Sequence, residues 1–155
     1  MKILLFPGVV FHELAHYVMC KILGVEVKKV SISLDSGFVR HVVPRSIIVS
    51  LLIAVAPGVL AAAFSLFALS FSLSNIYYEI VKHYLVFAVL YESFPSKADT
   101  NFTANHSLLK KIIFFPLFAV FRLFYFFSRN KYLKAIFSLL VMNLSYYAII
   151  WASLL

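Results

Sequence analysis

The sequence predicts an all-α polytopic membrane protein of about five transmembrane helices, with a small β-hairpin between the first and second. Three observations predict it. The 155 residues are 63% hydrophobic and only 13% charged, with a mean hydropathy of +0.97, whereas soluble domains run at about 45–50% apolar and about 25% charged. Several apolar stretches approach the roughly 20 residues that cross a hydrocarbon core. One short stretch instead alternates with period two. A domain of this size still exposes about a third of its chain surface, so the apolar excess cannot be hidden inside it. A water-soluble enzyme, a nucleic-acid module and a disordered tail are excluded as first readings.

The first helix is expected from about Ile3 to Leu23, with Gly24 placed to end it. The first stretch carries His12, Glu13 and His16 and no small-residue cleavage site, so it is expected to remain as a structural segment. Val30, Ile32 and Leu34 alternate with Ser31, Ser33 and Asp35, and Asp35-Ser36-Gly37 supplies turn chemistry before Phe38 and Val39. A hairpin within 25–43 follows, at the surface or in a protein-lined cavity, because lipid tolerates no open strand edge. Further helices are expected over about Ser46–Leu73, Ile76–Phe94, Ile112–Phe127 and Tyr132–Leu155. The segment Thr100–Lys111 reads as a short helix or an extension of the fourth. With no repeat and no linker, residues 1–155 form a single membrane-embedded domain.

The net charge is +8. The basic residues fall mostly between apolar stretches, which points to anionic headgroups and to loop orientation rather than to nucleic acid. Lys21, Lys28, Lys29, Arg40, Arg45, Lys97, Lys110 and Lys111 are expected on one side, opposite Lys2, Arg129, Lys131 and Lys134. That bias makes the hairpin side cytoplasmic and the N-terminus external. The single cysteine, Cys20, excludes an internal disulfide.

His12-Glu13-Leu14-Ala15-His16 is an H-E-x-x-H pattern inside an apolar helix. One turn brings His12 and His16 to one face about 6 Å apart along the axis, so both imidazoles can reach one Zn²⁺. Glu13 beside them can take a proton from water activated by that ion. A chance match with packed histidines is the bland alternative. Ionisable groups near a bilayer centre each cost about 2.5–3.5 kcal/mol on insertion scales, and three within five positions argue against it. A catalytic zinc needs a third protein ligand. Glu26, Asp35, Glu79, Glu92, Asp99, His41, His83 and His106 remain open. Asp99 follows the helix-breaking Pro95, where an extended chain can turn a carboxylate back toward the first helix. An N-cap for a helix from Thr100 is its plainer role.

Taken together, His12-Glu13-Leu14-Ala15-His16, Ala56-Pro57-Gly58 in the second helix, and Pro95 followed by Asp99 resemble the site-2 protease family of intramembrane zinc metalloproteases. The hairpin and Gly37-Phe38-Val39-Arg40-His41 leading to Pro44 resemble its compact prokaryotic members, which lack accessory domains. The likeness covers a three-helix core of about residues 3–103, with additional C-terminal helices over about 110–155. It departs from the family at Leu60, where an Asn is usual, and at Ala98-Asp99-Thr100, where Gly usually follows the Asp.

The resemblance implies one Zn²⁺ per chain on His12, His16 and Asp99, with Glu13 as the catalytic base. The implied reaction is hydrolysis of a peptide bond in or near a transmembrane segment of a membrane-protein substrate, bound as an added strand at the 25–43 hairpin. The implied location is a prokaryotic plasma membrane, with the site opening to the cytoplasm. The alternative reading is a non-catalytic metal-binding scaffold of the same fold. Glu92 is a candidate outer partner of a ligand histidine, and His41 a candidate for the cavity mouth or the headgroups. Lys82 and His83 are expected to contact headgroups, and Cys20 to be a small buried apolar group.

Overall fold

A computed structural model describes residues 3–34, 36–99, 112 and 114–154. A short 3₁₀ turn, Ile3–Leu5, leads into α1 (Phe6–Ile22), with Pro7 in the first turn, where its missing N–H costs nothing. Gly24, at φ +66°, closes the helix in a Schellman motif: Val25 N–H bonds the Cys20 carbonyl at 2.8 Å and Gly24 N–H bonds that of Lys21 at 3.2 Å. The chain then folds back as the expected hairpin.

Strands β1 (Val27–Ser33) and β2 (Ser36–His41) pair antiparallel, with Lys29 opposite Arg40 and Ile32 opposite Gly37. The reversal lies one residue pair earlier than the turn chemistry suggested. Ser33 pairs with Ser36, so Ser36 and Gly37 belong to β2, and the Ser33 hydroxyl donates to the Ser36 carbonyl at 2.8 Å. Asp35 lies outside the described residues.

Helices α2 (Ile47–Ser70), α3 (Ile76–Glu92), α4 (Phe115–Ser128) and α5 (Lys131–Ser153) follow, giving five α-helices among the described residues. Asn75 caps α3 by accepting from Tyr77 N–H, and Asn130 caps α5 by accepting from Tyr132 and Leu133. The span from Ile3 to Ile22, α2 and α5 are long and apolar enough to cross a membrane. At 17 and 14 residues, α3 and α4 are shorter.

Contacts fix the helix directions. Gly8 meets Ala88 and His12 meets Glu92, so α1 and α3 run parallel. His16 meets Ile53 and Phe11 meets Phe64, so α2 runs against α1. Ser65 bonds Ser145, and Ala61, Leu69, Val86, Val89 and Leu90 form a core joined by Phe11, Val141 and Ile149. Large apolar side chains such as Phe67, Leu144 and Trp151 face outward.

The start of α5 sits beside the end of α3, since Lys134 Nζ lies 3.2 Å from Glu92 Oε2. Arg129, Lys131 and Lys134 therefore lie at the hairpin end of the bundle, not opposite it. The 14 residues of α4 span about 21 Å. At the other end, Glu79 accepts from Leu73 N–H (2.6 Å) and Lys82 (2.8 Å), while Lys82 also donates to the Phe71 carbonyl. With His83 against Glu79, these groups brace the α2–α3 connection.

Candidate metal centre

Three side chains from two elements converge near the hairpin end. His12 and His16 project from one face of α1, both more than nine-tenths buried. Asp99 arrives from the turn after Pro95, which ends any continuation of α3. The two Nε2 atoms lie 3.1 Å apart, with Asp99 Oδ1 at 3.1 Å from His16 Nε2 and Oδ2 at 3.6 Å from His12 Nε2. The three groups offer ligand atoms within 4.8 Å of one another and could hold a metal ion.

The outer bonds decide which atoms face inward. His12 Nδ1 donates to the Glu92 carbonyl at 2.7 Å, and His16 Nδ1 to the Ile53 carbonyl at 2.9 Å. A carbonyl only accepts, so each ring carries its proton on Nδ1 and turns the Nε2 lone pair inward. Two such lone pairs and a carboxylate, this close, repel one another unless a cation stands among them. The two-imidazole, one-carboxylate set suits zinc by donor type, with a fourth position left over.

Neither carbonyl acceptor is accidental. The Glu92 carbonyl belongs to the last residue of α3, where helix carbonyls lack intrahelical partners. The Ile53 carbonyl is four residues before Pro57, whose ring nitrogen has no hydrogen to offer it.

Asp99 is anchored independently. Ser96 N–H donates to its Oδ2 at 2.7 Å, and its own N–H donates to Ser96 Oγ at 3.3 Å. Whether it also caps a helix from Thr100 lies outside the described residues.

Glu13 is buried beside the histidines and faces β2. A Cβ on Gly37 would collide with Glu13 Cγ and stand 3.0 Å from Cδ, so only glycine leaves that carboxylate its place. A cavity of about 260 Å³ opens here, lined by His12, Glu13, His16 and Asp99 on one side and by Gly37, Phe38, Val39 and His41 on the other. His41 thus lines the cavity, with its Nδ1 donating to the Val42 carbonyl at 2.8 Å.

The other candidate ligands sit elsewhere. Glu26 accepts Val42 N–H through its carbonyl, and Glu79 and His83 are at the far end of the bundle. Glu92 does partner a candidate ligand histidine, but through its main chain; its carboxylate pairs with Lys134. Cys20 is fully buried outside the cluster. Asp35 and His106 lie outside the described residues. The residue pattern did not disclose the Ile53 carbonyl, Gly37 as the neighbour of Glu13, or Lys134. Only the missing N–H of Pro57 signalled the first.

The fold and the cluster together define a helical protein with a buried candidate metal centre beside a β-hairpin. No protein family, curated protein or solved structure matches the chain.

Proposed function

We propose that the chain is a membrane-embedded zinc metallopeptidase of the site-2 protease type, cutting a peptide bond in or near a transmembrane segment of a membrane-protein substrate. The observation that carries this reading is the arrangement of His12, His16 and Asp99, with both Nε2 lone pairs turned inward and Glu13 buried alongside. A bound zinc supplies an activated water and a Lewis acid for the scissile carbonyl. His12, His16 and Asp99 would hold it.

Glu13 accepts the water proton and returns it to the leaving amine, as a general base and then a general acid. Among the described residues, strand β2 pairs with β1 on one edge only, and its Gly37–Val39 segment lines the cavity. An unwound substrate segment adds to the other edge by main-chain hydrogen bonds, which presents its peptide bond to Glu13. The cavity is polar where it meets the ligands and apolar at Phe38, Ile53 and Ala54, which limits bulk water.

The protein sits in a prokaryotic plasma membrane with the hairpin end in the cytoplasm. Among the described residues, Lys21, Lys28, Lys29, Arg40, Arg45, Lys97, Arg129, Lys131 and Lys134 cluster at that end, Lys82 lies at the other, and Arg122 lies within α4. That bias is stronger than the loop count from alternate crossings, and it has the same sign.

The test is zinc per chain in detergent-purified protein, with Asp99→Ala and Glu13→Gln alongside. The expected result is about one zinc in the wild type, loss in Asp99→Ala, and zinc retained with proteolysis abolished in Glu13→Gln. Substrate turnover unchanged in Glu13→Gln would overturn the reading. Partner capture without cleavage by the wild type would favour the scaffold instead.

A further inference from the structure

We propose that Lys134 of α5 is a positioning residue for the metal centre, acting through Glu92 on His12. The inference rests on the metal reading and extends it to the C-terminal helix, which supplies no ligand among the described residues.

Glu92 carries two bonds in opposite directions. Its carboxylate meets Lys134 Nζ at 3.2 Å, and its carbonyl takes the Nδ1 hydrogen of His12 at 2.7 Å. The Lys134 side chain is 14% exposed and its ammonium stands 4.3 Å from the centre of the Tyr91 ring. An ammonium this withdrawn from water needs its counter-charge, so α5 is tied firmly to the last turn of α3. Glu92 is the final residue of that helix. Beyond it, Ser93 bonds back to Leu90 and the chain turns away at Pro95, so the helix ladder itself does not hold the carbonyl in place.

The approach from the α1 side is equally tight. A Cβ on Gly8, one turn before His12, would collide with the Ala88 carbonyl and stand 3.0 Å from Glu92 Cβ. Gly8 therefore lets α1 close on α3, and Lys134 holds the end of α3 at the height where His12 can donate. The same region has a second cavity of about 250 Å³, in which Lys134 and Glu92 face His12 and Glu13. Loosening the pair frees the His12 ring to rotate and admits the other tautomer, which turns a proton toward the ligand position.

Zinc affinity, by competition with a chromophoric chelator, and the ¹⁵N signals of His12 in the metal-free protein test this together. Lys134→Met is expected to weaken zinc binding about tenfold, within the range for outer partners of metal ligands. Lys134→Arg, which keeps the charge, should restore it, and Glu92→Gln should match Lys134→Met with no further loss in the double variant. In the metal-free protein, the His12 ¹⁵N signals should change from one Nδ1–H tautomer to a mixture in Lys134→Met. Wild-type affinity and an unchanged His12 spectrum in that variant would overturn the inference. Glu92→Gln, which keeps the side-chain volume, replaces Lys134→Met should that variant not fold. A wild type that binds no zinc would sink the metal reading, while the His12 spectra would still decide the link to Lys134.

Discussion

His16 donates its Nδ1 hydrogen to the main-chain carbonyl of Ile53, 2.9 Å away in the neighbouring helix. That carbonyl is available because Pro57, one turn further along α2, has no N–H to close the helical bond. A residue that breaks a helix bond thereby orients a candidate metal ligand on another helix.

Pro57→Ala tests this relationship. The new N–H competes for the Ile53 carbonyl and leaves the His16 ring without its fixed partner. Zinc affinity is expected to fall about tenfold while circular dichroism shows the helices retained. Unchanged affinity would mean that the freed carbonyl plays no part in holding the ligand.

Gly37→Ala places a methyl group where Glu13 now lies. The carboxylate must move while the three ligands stay. Peptide hydrolysis is expected to drop on the order of 100-fold, as for a catalytic group misplaced by about 1 Å. Zinc stoichiometry should remain that of the wild type, and a parallel loss of zinc would assign Gly37 a structural role instead.

Gly8→Ala drives a methyl group into the Ala88 carbonyl at the α1–α3 contact. Overpacking of this kind costs about 1–3 kcal/mol. The unfolding temperature in detergent should fall, and zinc affinity with it, because His12 is one turn away on the same face. A variant as stable as the wild type would show that the two helices separate freely at this point.

Zinc should stabilise the fold by mass action. At a hundred times its Kd, the ion is expected to add about 2.7 kcal/mol to unfolding, visible as a raised Tm that a chelator reverses. His12→Ala and His16→Ala should abolish the shift. A shift that survives in both variants would place the ion elsewhere.

Single cysteines, introduced in a Cys20→Ser background, report the arrangement of the ends. Lys97→Cys and Arg129→Cys should react with an impermeant thiol reagent from the same side of the membrane, and Asn75→Cys from the other. Labelling of Arg129→Cys from the Asn75 side would contradict the placement of the α5 start beside Glu92.

The ends of the bundle show where sequence reasoning succeeds. Gly24 and the period-two run from Val30 to Leu34 mark local events, so the end of α1 and the hairpin were legible. The hairpin turn was displaced because Asp35-Ser36-Gly37 combines turn-forming residues with a glycine that β2 uses for clearance against Glu13. The end at which Lys134 lies was not legible, because alternation of loops assumes that successive apolar stretches run end to end, and only packing puts the start of α5 beside Glu92.

The candidate ligands divide in the same way. The four-residue spacing of His12 and His16 on an apolar helix follows from helix geometry alone, and so does the neighbouring position of Glu13. Local pattern was therefore enough for the helical class, the hairpin and two of the three candidate ligands. Of the six candidates among the described residues, tertiary structure selected Asp99, because only packing brings a residue 83 positions after His16 within 3.1 Å of its ring. It also decided which carbonyls fix the two rings, and that the C-terminal helix reaches the centre through Lys134 and Glu92. Those contacts depend on distances between helices, and no period or spacing along one chain encodes them.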